Sequence, residues 1–454
     1  MGSTTETKRV VLLVDNKQRD LLADTLIAHH LLALGVDCRL EPLEAYRGVL
    51  AAWRPAMIIF NHLTASHLAT YSRRLAEMGV LAVVLTNEGI TYDRDLLNFI
   101  VGNHHRNAHI DAFLCWNGEL KGAMGELGVF PETRKEIVGI PRFDFYCRPW
   151  SQLFHEPRPG GGLPRVLVCA DFWYADYWDK PEAAEVSFGM LKGRLPAFDD
   201  YKTLVEIHHH SRLAALEFFT ELAKTQRWEL IVRPHPCEQA DAYRAWLEGL
   251  PTDWQRNVRL DSQSNITGAI LNADLVISCE TCTTALEAWI AKKPSIELTF
   301  ARHPVFFHEE LARHQPLCDR PQDLPGVVEE ALAHPDQSEF LAGRQAHLRK
   351  WCHTIDGNSC QLVANTVQRA LVDHPSPDWS RLTASDYRRA LKLKLTRAMG
   401  EAYHYDPLMG LKHFLAPKRY AVKRFAYEKS IKPSDVAEAR RQLATVLPAG
   451  VKGV

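Results

Sequence analysis

Four hydroxyl-bearing side chains surround one turn in the second half of the chain. Ser278 ends a short apolar run, and Thr281, Thr283 and Thr284 follow it, immediately before a helical pattern begins at residue 285. Hydroxyls and free backbone N–H groups at a helix start can bind an anion, most often a phosphate. The alternative is ordinary capping of the helix by Ser or Thr. Because ligands of α/β proteins bind where strands end, the pattern favours a phosphate site as much as a cap.

A histidine follows an earlier apolar run of the same half of the chain. Arg233–Pro234–His235–Pro236 comes directly after residues 230–232, and its two prolines keep the backbone extended. A histidine at the end of a strand can donate to a phosphate or act as a general acid near neutral pH. Arg233 could pair with a phosphate or brace the turn. The pattern predicts that His235 belongs to a ligand site.

Two carboxylates could take part in sugar chemistry. Glu88 follows the apolar run 82–85 and precedes Gly89, which permits a sharp turn and the close approach of a ligand. It could act as a base or stabilise charge in a sugar transition state, or it could cap the next helix. Asp171 follows another strand and is a second candidate, as the nucleophile of a retaining double displacement.

Metal and redox chemistry have little support in the sequence. Cys279 and Cys282 have CxxC spacing, but the sequence contains no second ligand pair that would complete a zinc site. The histidine runs 104–105 and 208–210 have no carboxylate at metal-binding spacing. We found no Walker loop and no GxGxxG motif. We therefore expect no metal and no tightly bound cofactor.

Length and composition limit the kind of protein. A chain of 454 residues is expected to form two domains, and 54 Lys and Arg against 55 Asp and Glu give no net charge that would favour nucleic acid. The ten cysteines are mostly scattered, as in a reducing cytoplasm. The N-terminal apolar run is too short for a signal peptide, and no later run could span a membrane.

Alternating apolar runs and helical patterns indicate how these residues are positioned. In residues 1–150 they predict a doubly wound α/β domain. Charged or polar stretches follow its strands at 15–20, 87–89 and 139–144, where a ligand is expected. The predicted strands are Val10–Val14, Met57–Phe60, Leu81–Leu85, Ala112–Trp116 and Glu136–Val138.

A second alternation predicts another α/β domain over residues 151–375. Residues 148–164 contain four Pro and three consecutive Gly, and we interpret them as a linker between two halves that face a cleft. Helical segments at 325–334 and 337–374 are expected to close this domain. Its predicted strands are Val166–Cys169, Glu229–Val232, Leu275–Ser278 and Ser295–Leu298.

The segment 171–202 is rich in aromatic residues and lacks clear periodicity. It either packs as a loop around a small core of its own, or presents rings such as Trp173 and Tyr174 for stacking on sugars in the cleft. The first interpretation is favoured by the density of the aromatic residues.

Residues 376–454 are expected to form a helical tail that is basic between 385 and 432. Apolar and aromatic residues alternate there with Lys and Arg. Such a segment can lie on an anionic membrane surface. A solvated tail or an oligomer contact would explain the pattern equally well.

Three of these motifs, in this order across two α/β halves, resemble GT-B glycosyltransferases that use CMP-activated sugars. Those families include bacterial sialyl- and polysialyltransferases and Kdo transferases of capsule and O-antigen assembly. The stretches 15–20 and 139–144 are further similar to proteins called surface carbohydrate biosynthesis proteins. CDP-glycerol glycerophosphotransferases have a similar second half. The motifs are Asn87–Glu88–Gly89, Arg233–Pro234–His235–Pro236 and the cluster Ser278, Thr281, Thr283 and Thr284.

The resemblance implies roles for individual residues. His235 would contact the donor phosphate and assist departure of CMP, and Glu88 would be the catalytic carboxylate, since Asn87 occupies the first acidic place of the motif. Inverting members use that carboxylate as a base, whereas retaining ones would need a second, such as Asp171. The donor-binding set would be Arg233, His235, Ser278, Thr281, Thr283, Thr284 and Glu287. Acceptor or cleft residues would be Asp15, Lys17, Arg19, Arg142, Trp173 and Tyr174.

We therefore expect a cytoplasmic GT-B glycosyltransferase, peripheral on the inner membrane if the tail binds lipid. It would move Kdo, or a related 3-deoxy-ulosonic or sialic-type sugar, from a CMP donor to a surface polysaccharide or glycolipid. The alternatives are a CDP-glycerol or CDP-ribitol phosphotransferase of the same fold, a non-catalytic scaffold of glycan assembly, and an epimerase acting on a UDP-sugar.

Overall fold

The computed structural model describes residues 8–104, 106–158, 161–416, 424 and 427–447. Parts of three segments discussed above therefore lie outside the described residues. They include His105 of the run 104–105, Gly160 of the stretch 148–164, and Lys418, Arg419, Tyr420, Lys423 and Phe425 of the basic stretch 385–432. The strands are β1 Arg9–Val14, β2 Asp37–Pro42, β3 Met57–Phe60, β4 Leu81–Leu85, β5 Ala112–Cys115, β6 Arg134–Ile137, β7 Arg165–Cys169, β8 Glu229–Arg233, β9 Val258–Leu260, β10 Leu275–Cys279, β11 Ser295–Leu298 and β12 Leu317–Cys318.

Helices connect most of the strands. In chain order they are α1 Leu21–Ala33, α2 Val49–Trp53, α3 Ser66–Glu77, α4 Arg94–Gly102, α5 Gly118–Glu126, α6 Pro181–Phe188, α7 Tyr201–Thr225, α8 Asp241–Gly249, α9 Thr252–Gln255, α10 Ile266–Asn272, α11 Thr284–Ile290, α12 Glu309–Ala312, α13 Leu324–Ala333, α14 Leu341–Cys352, α15 Ser359–Leu371, α16 Ala384–Ala398, α17 Met409–Leu415 and α18 Pro433–Ala444. Within the described residues, no helix is both long and apolar enough to cross a bilayer.

The first sheet has the strand order β2-β1-β3-β4-β5-β6, and every pairing is parallel. Its central strands are apolar along their whole length because helices cover both faces of a parallel sheet, and β3 is buried throughout. The strand order reverses between β1 and β3, because β2 lies on one side of β1 and the later strands on the other. A ligand crevice is expected where the connections diverge in this way.

The second sheet has the strand order β12-β11-β10-β7-β8-β9, again entirely parallel. Here the order reverses between β7 and β10, since β8 and β9 extend from one side of β7 and the later strands from the other. The side chains of β10 are all buried, and the long helix α7 covers one face of the core with Ala215, Phe218 and Phe219. The carboxyl ends of β7, β8 and β10 are therefore neighbours.

The chain forms two compact units. The first comprises residues 1–89, 100–145 and 350–454, and the second comprises residues 90–99 and 146–349. This division differs from the sequence-based one, which ended the first domain at 150 and assigned residues 151–375 to the second. The C-terminal part of the chain returns to the first unit, where α15 packs on α1 and α16 packs on α2.

The predicted fold class is confirmed. Two six-stranded parallel sheets form two Rossmann-like α/β units, with helices at the C-terminal end. The edge strands β2, β9 and β12 were not predicted. An edge strand pairs on one side only and tolerates polar residues, so that Asp37–Pro42 and Val258–Leu260 lack the apolar run that marks a central strand.

Two local predictions were wrong. The single helix over 337–374 is broken between α14 and α15, where His353 and Gly357 have positive φ angles of 62° and 83°. The linker prediction fails for the first part of 148–164, because Trp150 is buried and the backbone oxygen of Phe154 accepts a hydrogen bond from Asn272 at 2.7 Å. Proline-rich sequence marks irregular backbone, which need not be a flexible connection.

Candidate functional site

The carboxyl edge of the second sheet gathers three of the predicted segments. Asp171 lies two residues after β7, His235 lies two residues after β8, and the turn beginning at Glu280 directly follows β10. Since β7 lies between β8 and β10 at the reversal of strand order, the fold places these segments together at a ligand-binding position. The turn also contains strained backbone, because Glu280 and Thr281 both have positive φ angles, 56° and 48°.

His235 and Asp171 interact. Burial lowers the pKa of His235, but a hydrogen bond with Cys237 and the negative charge of Asp171 raise it, and the net pKa lies above the usual value. Burial raises the pKa of Asp171, and the charge of His235 lowers it, with a net increase. In the neutral ring the backbone N–H of Cys237 donates to Nδ1 of His235 at 3.1 Å, which orients the ring and leaves its proton on Nε2. Protonation of Nδ1 replaces this contact, because both nitrogens of an imidazolium are donors.

Asp171 has an incomplete hydrogen-bond set. Its Oδ1 is buried and has no hydrogen-bond partner among the described residues. An orphaned carboxylate oxygen next to an imidazole is typical of a site that a ligand or water completes. The charge of Asp171 thus acts on His235, and the role of Asp171 as nucleophile stays a prediction.

Arg233 braces a loop. Its guanidinium donates to the hydroxyl of Ser264 at 3.0 Å and to the backbone oxygen of Ser264 at 2.6 Å, and it lies 3.3 Å from a carboxylate oxygen of Asp261. These contacts hold the segment after β9 against the end of β8. The bracing interpretation of Arg233 is therefore favoured over phosphate binding.

The four predicted hydroxyls have different environments. Ser278 is fully buried and donates to Glu297, and the hydroxyl of Thr281 donates to the backbone oxygen of Phe306 at 2.7 Å. Both hydroxyls are thus used internally. Thr284 Oγ1 is buried without a hydrogen-bond partner among the described residues, whereas Thr283 is partly exposed. Thr283 and Thr284 are the members of the cluster that a ligand could use.

The helix start itself is a weak anion site. Helix α11 has only seven residues, and Thr283, at its N-cap, makes no side-chain capping hydrogen bond. Glu287, assigned to donor binding from the sequence, is buried and accepts a hydrogen bond from the hydroxyl of Tyr146. At this edge His235 and Asp171 are therefore better placed to act on a ligand than the start of α11 is.

A group of polar residues beside His235 and Asp171 was not predicted from the sequence. Glu280 is buried with the hydroxyl of Ser211 of α7 beside it, and both ring nitrogens of His208 on the same helix are buried without hydrogen-bond partners among the described residues. Burial raises the pKa of Glu280 to about 8, with the charges of Glu297 and Asp171 adding to the effect of burial and the Ser211 hydroxyl opposing it. Glu280 is therefore mostly protonated at neutral pH.

His208 is neutral for the opposite reason. Burial, with smaller contributions from the charges of Arg212 and His235, lowers its pKa to about 3. Its ring packs 3.8 Å from the ring centroid of Phe306 and 4.9 Å from that of Tyr174. The sequence contained only a run of three histidines, which gave no sign that one faces the core and the others do not.

The residues that suggested a metal or redox site lie in the second unit, at Cys279, Cys282 and the histidine run 208–210, and in the first, at His104. The described residues contain no group of three or more His, Cys, Asp or Glu placed to hold a metal ion. Burial, and then neighbouring negative charges, raise the pKa of the Cys279 thiol and of the Cys282 thiol well above the usual value. A thiol that stays protonated is a poor nucleophile and metal ligand.

The aromatic segment after β7 forms a small core. Tyr174 is buried, stacks on Trp173 with ring centroids 4.1 Å apart, and stacks on Phe188 at 5.0 Å. Helix α7 contributes Tyr201 and Leu204 to the same cluster. Both faces of the Tyr174 ring are covered, so the interpretation as a self-packed loop is favoured over a stacking platform for sugars.

In the first unit, the charged residues after β1 and β4 form one network. The guanidinium of Arg19 lies 2.7 Å from Asp20, 3.4 Å from Asp15 and 3.3 Å from Glu88. The Glu88 side chain is 66% exposed, so a carboxylate oxygen is available to a ligand. Asn87, which precedes it, accepts a hydrogen bond from Asn61 at 3.1 Å.

Other residues of the first unit that were predicted to bind a ligand already have contacts within the protein. Lys429 Nζ lies 2.6 Å from Asp15, and Lys17 lies 3.9 Å from Asp435. Arg142 packs over the ring of Trp116 at 4.7 Å and donates to the backbone oxygen of Asn87 at 3.2 Å. A recess of about 30 Å³ lies nearby, and that volume suits a water molecule but not a sugar ring. Its lining includes Arg19, Asp20, Asp24, Asn87, Trp116 and Arg142.

Comparison with protein-family models and with curated proteins gives no match. Among solved structures, a putative UDP-N-acetylglucosamine 2-epimerase from Listeria monocytogenes aligns with 11% identity over 82% of this chain and 99% of that chain, with a TM-score of 0.49. S. aureus MnaA in its structure with UDP aligns with 10% identity over 82% and 99%, at 0.47. The wall teichoic acid polymerase TagF aligns with 12% identity over 80% and 88%, at 0.47. At these identities the similarity concerns the fold alone.

Proposed function

We propose that the protein is a glycosyltransferase that moves Kdo, or a related 3-deoxy-ulosonic or sialic-type sugar, from a CMP donor to a surface polysaccharide or glycolipid. The observation that carries the proposal is the pairing of His235 with Asp171 at the ends of the neighbouring strands β8 and β7. This pair lies where the strand order of the second sheet reverses, the position at which such sheets bind nucleotides.

In the proposed reaction His235 contacts the phosphate of the donor. Its raised pKa keeps a larger share of the ring protonated near neutral pH, and an imidazolium stabilises the negative charge that develops on the departing CMP. Thr283 and Thr284 supply hydroxyls beside it. The negative charge of Asp171 favours the protonated form of His235. Glu88, with its exposed carboxylate, is the proposed base for the acceptor hydroxyl.

Calorimetric titration with CMP tests the nucleotide assignment. His235→Ala should weaken CMP binding roughly tenfold to hundredfold, because it removes a charge-assisted hydrogen bond to phosphate. His210→Ala is the matched control, since His210 is an exposed histidine of α7 in the same unit.

Binding of CMP should also weaken as the pH rises through the raised pKa of His235, and Asp171→Asn should move that loss of affinity to lower pH.

Transfer from CMP-Kdo to an acceptor glycan tests the reaction. Glu88→Gln should abolish transfer while leaving CMP affinity unchanged. Binding of UDP or CDP-glycerol in preference to CMP would contradict the donor assignment and would favour an epimerase or a phosphotransferase. Unchanged glycan output in cells carrying both Glu88→Gln and His235→Ala would indicate a scaffold without catalytic activity.

A further inference from the structure

Helix α16 exposes an unusual apolar stripe. Tyr387, Leu391 and Leu395 are spaced four residues apart, with Met399 just beyond the helix end, so they lie along one face. Each of these side chains is between 51% and 59% exposed. Scattered exposed apolar residues are normal, but four in one line form a contiguous surface.

Basic residues border the stripe on both sides. At about 100° per residue, Lys394 lies on one side, and Arg388 and Lys392 lie on the other. All three are exposed, and none has a carboxylate partner among the described residues. Lys392 Nζ lies 4.2 Å from the ring centroid of Tyr403, which leaves its charge unneutralised.

The side chains on the opposite face of α16 are buried or paired within the protein. Its only acidic residue, Asp386, is buried and forms a hydrogen bond with Arg74 at 2.8 Å, and Arg397 lies 2.8 Å from Glu41. The apolar residues Ala390 and Leu393 are buried on that face. The exposed face therefore carries apolar groups and positive charge, with no negative charge.

We propose that this face of α16 lies on an anionic lipid bilayer, with the apolar stripe among the acyl chains and Arg388, Lys392 and Lys394 at the headgroups. An apolar strip flanked by long basic side chains is the pattern of an interfacial helix, because the charged ends can reach the headgroups while the stems cover apolar surface. Helix α17 adds apolar exposure in the same unit, where Phe414 is 81% exposed and Leu415 is 71% exposed.

A second copy of the chain fits this face less well. A two-fold contact would bring three unpaired cations of one copy against the three of the other, and like charges at close range oppose association. Anionic lipid instead neutralises each cation, and each Lys or Arg near such a surface strengthens binding about fivefold. This inference does not depend on the proposed reaction.

Co-sedimentation of the full-length protein with vesicles tests the proposal. We expect binding to vesicles of phosphatidylcholine with phosphatidylglycerol at least about tenfold stronger than to phosphatidylcholine alone, and weaker at high salt. Leu391→Glu with Leu395→Glu should abolish binding, and Arg388→Ala with Lys394→Ala should weaken it more than about tenfold. Val186→Glu is the matched control, since Val186 is an apolar residue of α6 that is 76% exposed.

Thermal melting of each variant shows whether it is folded. Failure of the wild-type protein to sediment with anionic vesicles would overturn the proposal. Wild-type binding by the Leu391→Glu and Leu395→Glu variant would also overturn it. The proposal would also be overturned if the wild-type protein were a dimer and this variant a monomer. A second copy of the chain would then cover this face of α16.

Discussion

At the scale of the residue, the site of the second unit depends on protonation states that burial sets. His235 and Asp171 stabilise each other's charge, whereas Glu280 and His208 are buried in their neutral forms. Sequence analysis identified His235 because prolines flank it after an apolar run. It could not identify Glu280, since nothing in the order of residues shows that a side chain beside two cysteines will lose contact with water.

Glu280→Gln tests the buried carboxyl. The folded-state pKa of Glu280 is about 8, above its ordinary value of 4.5, so the folded protein holds a proton that the unfolded chain releases between these values. The stability of the wild type relative to Glu280→Gln should therefore be greatest below about pH 4.5 and fall as the pH rises to about 8, by up to about 1.4 kcal/mol per pH unit. Urea unfolding of both proteins across this range measures the difference.

Glu217→Gln is the control for that experiment, because Glu217 is an exposed residue of α7. The difference in the free energy of unfolding between the wild type and Glu217→Gln should be the same throughout this pH range. A constant difference between wild type and Glu280→Gln would show that Glu280 ionises normally in the folded protein.

At the scale of the element, short hydrogen-bonded contacts decide where the C-terminal helices dock. Asp386 accepts from the backbone N–H and the hydroxyl of Thr383, both at 2.7 Å, and so forms the capping box of α16 while it pairs with Arg74. The sequence marked this region only as basic and helical. It did not show that α16 packs on α2 or that its buried carboxylate pairs with Arg74 of α3, because ion pairs across 312 residues of sequence leave no local pattern.

Asp386→Ala should destabilise the first unit by roughly 2–4 kcal/mol, because it removes a helix cap and leaves Arg74 without its partner. Burial raises the pKa of Asp386, but the hydrogen bonds with Arg74 and Thr383 lower it to a net value of about 2. Its contribution to stability should thus be complete above about pH 4 and fall as the pH decreases to about 2.

Denaturant unfolding at pH 7 and at lower pH measures both effects. Asp373→Ala is the matched control, since Asp373 is an exposed carboxylate of the same unit. Equal stability of the two variants would show that the Arg74 contact contributes nothing.

At the scale of the whole molecule, the first unit is completed by the end of the chain. The backbone N–H groups of Ser359 and Cys360 donate to Asp144 at 2.9 and 2.7 Å, and Val363 and Val367 are buried where α15 packs on α1. Each fully buried Val or Leu contributes about 1.5–3 kcal/mol. The C-terminal segment is thus part of a core that begins near residue 9.

Removal of residues 350–454 should abolish cooperative unfolding of the first unit, because it strips α15 from the buried face of α1. The second unit should keep its own transition, since its sheet uses residues 165–318 only. Scanning calorimetry of residues 1–349 measures this. A chain ending at residue 447, which keeps every described element, is the control, and two intact transitions in the shorter chain would contradict the expectation.

The sequence by itself determined both α/β alternations, the central strands within a residue or two, and the position of His235 after β8. It could do so because buried parallel strands are continuous apolar runs, and prolines and glycines mark where they end. Only the tertiary structure decided which polar groups near those strand ends are free. Ser278 and Thr281 donate to Glu297 and to the backbone oxygen of Phe306, while both ring nitrogens of His208 are buried without hydrogen-bond partners among the described residues. Hydrogen-bond partners are chosen by proximity in space, and strand order, which the sequence left open, sets that proximity.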